Sequence, residues 1–83
     1  MGIHLYMEPG CGACIEAKSF LNSRGICFEE RDVRANPEYQ RILTEDLDSC
    51  TLPTVVAGET IIAGFDLEEF ERLAAATAPK IHR

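Results

Sequence analysis

A chain of 83 residues with 46% apolar side chains makes one small domain and is too apolar for disorder. Its 14 Asp and Glu outnumber 8 Lys and Arg, for a net charge of −6, and no basic stripe favours nucleic acid or an anionic membrane. No apolar run approaches the about 20 residues of a membrane span, and the opening MGIHLYMEPG lacks the charged and long apolar regions of a signal peptide. The expectation is a monomeric cytoplasmic protein. In a reducing compartment, a close cysteine pair points to redox chemistry or metal binding rather than to a structural crosslink.

IHLYM, residues 3–7, predicts a strand with Ile3, Leu5 and Met7 on one face. Pro9-Gly10 breaks it. From Gly12 to Arg24, Cys14, Ala17, Phe20 and Leu21 recur at helical spacing, and Gly25 suits a left-handed cap. ICFEERDV, residues 26–33, predicts a second strand. Asn36-Pro37 starts a helix, with Asn36 as cap and Tyr39, Ile42, Leu43 and Leu47 as its buried stripe. A loop over residues 48–54 contains Pro53. TVVA and TIIA flank Gly58-Glu59 as a hairpin. Asp66 caps a last helix, with Glu69 completing a capping box and Leu67, Phe70, Leu73 and Ala74 facing inward. Residues 76–83 are expected to fray.

The order β-α-β-α-β-β-α predicts an α/β fold, with a parallel βαβ unit, a right-handed crossover and an added antiparallel hairpin. This is a thioredoxin-type layout: a mixed four-stranded sheet with three helices, in a single domain. A Cys-x-x-Cys pair beside a βαβ pattern is its redox signal.

Cys11 and Cys14 carry that pattern, at the point where the first strand gives way to the first helix. Unpaired N–H groups at a helix start carry about half a positive charge in sum, which stabilises a thiolate placed there. Cys11 has that position and the greater exposure. Cys14 begins the buried stripe. Cys11 is therefore the expected nucleophile and Cys14 the resolving thiol. A zinc site needs four ligands, whereas Cys27 and Cys50 are isolated and His4 and His82 lie near opposite ends. No metal ligands are assigned. Pro53 alone reads as a trans loop proline. In the thioredoxin-type layout this place holds a cis-proline beside the nucleophile, whose backbone pairs with substrate like an added strand.

YMEPGCGACIEAKSFLNSRGICFEERDV and TLPTVVAGETIIAGFDLEEF resemble the two halves of a glutaredoxin, over about Ile3 to Ala75. The resemblance implies a glutathione-linked thiol–disulfide oxidoreductase, with glutathione as co-substrate and disulfide-bearing proteins as partners. Cys11 and Cys14 would be catalytic. Leu52 and Pro53 would offer backbone to the cysteinyl part of glutathione, and Gly64, Phe65 and Asp66 would hold its γ-glutamyl end. Independently, Gly64 permits close backbone approach, and the start of the last helix offers N–H groups to a carboxylate.

Three positions depart from the family pattern. Gly12 and Ala13 replace its usual proline and tyrosine, and Glu8 stands where most members carry a lysine. An anion there disfavours a thiolate and repels an anionic tripeptide; a solvated Glu8 would do much less. A small residue between the cysteines resembles members that hold a glutathione-ligated [2Fe–2S] cluster. Gly64-Phe65 and the absent tyrosine resemble redoxins that take electrons from thioredoxin reductase and serve ribonucleotide reductase. Cys50 reads as an incidental loop thiol or as an extra resolving thiol, and Cys27 as a small hydrophobe packed in a strand.

Overall fold

The computed structural model describes residues 2–76. Residues 77–83, with most of the expected frayed tail and His82, lie outside the described residues. The elements are β1 (Ile3–Met7), α1 (Gly12–Ser23), β2 (Glu29–Asp32), α2 (Pro37–Arg41), β3 (Thr54–Ala57), β4 (Thr60–Ala63) and α3 (Leu67–Ala76). The sheet order is β2-β1-β3-β4, with β1 parallel to β2 and the other two pairings antiparallel. This is the predicted mixed four-stranded sheet with three helices.

Alternation along β1 divides the core. Ile3 and Leu5, with Met7 against them, join Ala17, Leu21, Val55, Ile62, Phe70 and Leu73 between the sheet, α1 and α3. Tyr6 points the other way, to Val33, Leu43, Tyr39 and Ile42 under α2. The period of two in a strand sends neighbouring side chains to opposite layers. Phe70 is completely buried, with the Phe20 and Phe65 rings edge-on to it at 5.7 and 4.8 Å.

Helix ends follow local chemistry. Asn36 Oδ1 accepts the Glu38 N–H at 2.9 Å, with Pro37 at the first position of α2. Gly25, at φ 70°, turns the chain out of α1. Asp66 Oδ1 accepts the Glu68 and Glu69 N–H groups at 3.0 and 3.4 Å. The expected capping box is not completed, because the Glu69 carboxylate turns forward to Arg72 at 3.1 Å.

Three further expectations are corrected. Leu67, expected to face inward on the last helix, is 52% exposed, and only Phe70, Leu73 and Ala74 of that stripe are buried. The second strand starts at Glu29 rather than residue 26. The Ile26 N–H returns to the Leu21 carbonyl at 3.0 Å to close the end of α1, so pairing with β1 opens at His4 opposite Glu29. Cys27 therefore lies ahead of the strand and is exposed, not packed. β2 itself is charged, as suits an edge strand. Its Arg31 lies over the Tyr6 and Tyr39 rings at 5.5 and 5.1 Å and donates to the Tyr6 hydroxyl at 2.8 Å.

α2 runs on into a π turn over Ile42–Asp46, where the Leu47 N–H reaches the Ile42 carbonyl at 2.9 Å. Asp48 then adopts a left-handed conformation, φ 52°, and the Ser49 N–H folds back onto the Leu43 carbonyl at 2.9 Å. The left-handed residue ends the helix, and the returning bond spans six residues, one more than in a Schellman closure. It anchors the start of the loop that leads to Pro53.

Candidate active site

Three chain segments meet at one end of the sheet because of strand register. Tyr6 on β1 pairs with Thr54 on β3, and Thr54 pairs with Ala63 on β4. The segment from Glu8 to Cys11 leaves the end of β1. Pro53 enters the start of β3, and Gly64 leaves the end of β4. The Gly64 N–H donates to the Pro53 carbonyl at 2.7 Å. The Leu52–Pro53 bond is cis. The sequence thus brings the cysteine loop, the proline turn and the Gly64–Asp66 segment to a common edge.

Cys11 is the residue that caps α1. Its backbone is extended (φ −86°, ψ 114°), and its sulfur accepts the Cys14 N–H at 3.2 Å. A sulfur in that place occupies the positive end of the helix dipole and takes one of the orphan donors. Cys11 is half-buried, while Cys14 is only 2% exposed. Both are free thiols. Burial pushes the Cys14 thiol from its ordinary 9.0 up to about 12, helped by its hydrogen bond with Cys11 and the charges of Cys11 and Glu8; a backbone hydrogen bond from Glu8 opposes this. The two sulfurs are thus inequivalent: one held at a helix start, the other kept as a neutral thiol beneath it.

Glu8 is half-buried, not fully solvated, and its charge acts on Cys14. Gly12 is exposed, and a Cβ built on it meets nothing within 4 Å. Ala13 is half-buried. At the proline turn, Leu52 packs its side chain into the layer under α2, and Pro53 is buried. Gly64 is left-handed (φ 85°), and a Cβ there would meet the Thr51 methyl at 3.5 Å. Phe65 directs its ring into the Phe20–Phe70 cluster, so only its backbone faces the edge freely. Asp66 is exposed and carries both capping bonds on Oδ1.

Sequence reasoning missed Ser49 and Thr54. Thr54 is fully buried and polar. Its hydroxyl donates to the Thr51 carbonyl at 2.5 Å and meets Ser49 Oγ at 3.0 Å. The signal was the cluster of Ser and Thr around Leu52-Pro53, a composition typical of side chains that bond nearby backbone. Cys50 is exposed and makes no bond to the cysteine pair among the described residues.

An open groove of about 520 Å³, lined by Lys18, Asn22 and Cys27 among others, lies at the other end of α1. It contains neither member of the pair. Thiol exchange with protein disulfides needs a sulfur within reach of a partner surface, not an enclosed cavity, so chemistry and not concavity locates the site. Among the described residues no group of three His, Cys, Asp or Glu side chains converges as a metal site. No helix among them is long and apolar enough to cross a membrane.

The glutaredoxin family model matches residues 3–62. A glutaredoxin from Pseudomonas aeruginosa is 35% identical over 69 residues, 82% of each chain. Among solved structures, the thioredoxin-like protein BC3987 superposes with a TM-score of 0.82 at 35% identity, over 86% of this chain and 97% of that one. The glutaredoxin-like NrdH-redoxin from Escherichia coli, described as having a thioredoxin-like activity profile, does so with 0.80 at 32% identity, over 88% and 95%. With a Cys-x-x-Cys pair at the start of α1, a cis-proline turn at the same end of the sheet, and a family match running from β1 into β4, the chain belongs to the glutaredoxin family.

Proposed function

We propose that the protein is a dithiol oxidoreductase that reduces protein disulfides, and mixed disulfides with glutathione, through Cys11 and Cys14. The observation that carries this reading is the Cys11 sulfur accepting the Cys14 N–H at the start of α1, with the Cys14 thiol buried behind it. The Cys11 thiolate attacks one sulfur of the substrate disulfide. That S–S bond breaks, the far sulfur leaves as a thiolate and takes a proton, and a mixed disulfide forms on Cys11. Cys14 then gives up its proton and attacks the Cys11 sulfur, which releases the second substrate thiol. Two electrons have passed to the substrate, and Cys11–Cys14 is the disulfide left behind. Two glutathione molecules return it to the dithiol and leave as glutathione disulfide.

The same reading gives the rest of the edge to glutathione. Leu52 and Pro53 offer backbone to its cysteinyl part. Gly64 and Phe65 offer backbone, and Asp66 its uncommitted carboxylate oxygen, to the γ-glutamyl end. A second reading rests on Glu8 and on the likeness to NrdH-redoxin: the donor is thioredoxin reductase. An anion beside the pair, on a chain of net charge −6, opposes an anionic tripeptide.

The test supplies oxidised protein with NADPH and either glutathione plus glutathione reductase, or thioredoxin reductase. Consumption with the first alone supports glutathione, and with the second alone supports the redoxin reading. Consumption with neither, or full activity in Cys11→Ser, sinks the oxidoreductase proposal.

A further inference from the structure

Leu52 has no acceptor for its N–H among the described residues, although its side chain is anchored under α2. The direction of that N–H is set one residue earlier. Thr51 and Leu52 share a trans peptide, since Leu52–Pro53 is the cis bond of the described chain. In a trans peptide the C=O of one residue and the N–H of the next point in opposite directions. Whatever holds the Thr51 carbonyl therefore aims the Leu52 N–H.

The Thr51 carbonyl is held by the Thr54 hydroxyl, from a side chain that is 0% exposed. Ser49 Oγ lies 3.0 Å from Thr54 Oγ1 and 3.3 Å from the Thr51 nitrogen. Ser49 Oγ also lies 3.4 Å from the Thr51 carbonyl, but the Thr54 hydroxyl takes that oxygen at 2.5 Å, which leaves the one Ser49 proton for Thr54 Oγ1 and assigns the donors. Thr51 N–H donates to Ser49 Oγ, the Ser49 hydroxyl donates to Thr54 Oγ1, and the Thr54 hydroxyl donates to the Thr51 carbonyl. Both backbone groups of Thr51 are consumed in one closed ring of three bonds, in which each polarises the next. Ser49 is itself pinned by its N–H to Leu43, and Thr54 by its place in β3 between Tyr6 and Ala63.

We infer that Thr54, with Ser49, is a positioning element for peptide-bearing disulfides. The ring turns the Thr51 carbonyl inward and so presents the Leu52 N–H outward, as a fixed donor for the backbone carbonyl of the incoming cysteinyl residue. This rests on the proposed oxidoreductase reading and is independent of which donor reduces the protein. A substrate with a peptide backbone uses the donor. A small disulfide without one does not.

The experiment measures single-turnover reduction of a glutathionylated peptide and of bis(2-hydroxyethyl) disulfide by pre-reduced protein. Thr54→Val keeps the β-branched shape and removes the hydroxyl; Thr54→Ser keeps the hydroxyl. The expected result is an about three- to tenfold loss on the peptide substrate in Thr54→Val, the size of one hydrogen bond. The rate on the small disulfide stays at the wild-type value, and Thr54→Ser restores the peptide rate. Ser49→Ala, which leaves Thr54 in place, gives a smaller loss of the same selectivity. Equal losses on both substrates, or none on either, overturn the inference. Wild-type protein that reduces neither substrate overturns the oxidoreductase reading beneath it.

Discussion

The Cys14 backbone N–H donates to the Cys11 sulfur across 3.2 Å, so the first turn of α1 is closed by the thiol it presents. The same turn buries Cys14 and pushes its thiol up to about 12. Reactivity toward an alkylating agent follows the thiolate and its access. Iodoacetamide should modify Cys11 from neutral pH to about 9 and leave Cys14 intact, as read by peptide mapping, which also separates the exposed Cys27 and Cys50. The raised Cys14 value has a stability consequence. The thiol binds its proton more tightly folded than unfolded, so its contribution is complete below pH 9.0 and is lost as pH rises through about 12. Melting temperature should fall more steeply above pH 9 in reduced wild-type protein than in Cys14→Ala. Parallel curves would show that Cys14 ionises freely in the fold.

Glu8 joins the end of β1 to the site and acts on Cys14 through both its backbone and its charge. Replacing it with a cation removes repulsion toward an anionic tripeptide and supplies attraction. Glu8→Lys should raise glutathione-linked turnover about two- to fivefold at low salt, the range of a partly exposed charge pair. The gain should shrink at high ionic strength as charges are screened. Steady-state rates with glutathione and its reductase at two salt concentrations measure it. An unchanged rate at low salt removes Glu8 from the electrostatics of the site.

The legible parts of this molecule were those set by short-range rules. The Cys11 cap, the Asn36-Pro37 helix start, the Gly58-Glu59 hairpin and the Asp66 cap each need only a few neighbouring residues to form. The alternation of Ile3, Leu5 and Met7 gave the main layer of the core. What stayed hidden depended on partners remote in sequence or on competition between local options. ICFEERDV has the composition of a strand throughout, but the Ile26 N–H closes α1 instead, and this puts Cys27 outside the sheet. Glu69 has the spacing for a capping box, yet Arg72 on the next turn takes its carboxylate. The π turn over Ile42–Asp46 has no sequence signature of its own, and with it the anchoring of Ser49 beside Thr54 was invisible.

Gly12 sits at the first position of α1, directly after an extended Cys11. Proline is favoured at that position because the missing N–H has no helical partner and its fixed φ suits the helix. The residue before proline must be extended, which Cys11 already is. A Cβ on Gly12 meets no neighbour within 4 Å. Gly12→Pro should therefore stabilise the fold by about 0.5–1 kcal/mol, chiefly by restricting the unfolded chain. Chemical denaturation measures this as a higher midpoint with unchanged slope. A lower midpoint would show that the first turn needs the freedom of glycine.

Phe70 links α3 to the layer that supports the site. It is 0% exposed, and the rings of Phe20 from α1 and Phe65 from the Gly64–Asp66 segment meet it edge-on. Edge-to-face pairs add to the area such rings bury. Truncation leaves a cavity that two flanking rings cannot both fill, so Phe70→Ala should cost about 3–5 kcal/mol. A domain of this size has total stability of about 5–15 kcal/mol, so the variant should be folded but close to its limit at room temperature. Phe70→Leu keeps most of the volume and should cost less. Urea titrations of the two variants give the comparison, and peptide-disulfide reduction under folding conditions gives its functional counterpart. Loss of the Phe70 ring frees Phe65 to shift, and Phe65 follows the glycine that bonds the Pro53 carbonyl. Phe70→Ala should therefore slow peptide-disulfide reduction while Cys11 alkylation by a small reagent stays fast, because the Cys11 cap at the start of α1 uses only backbone of its own helix.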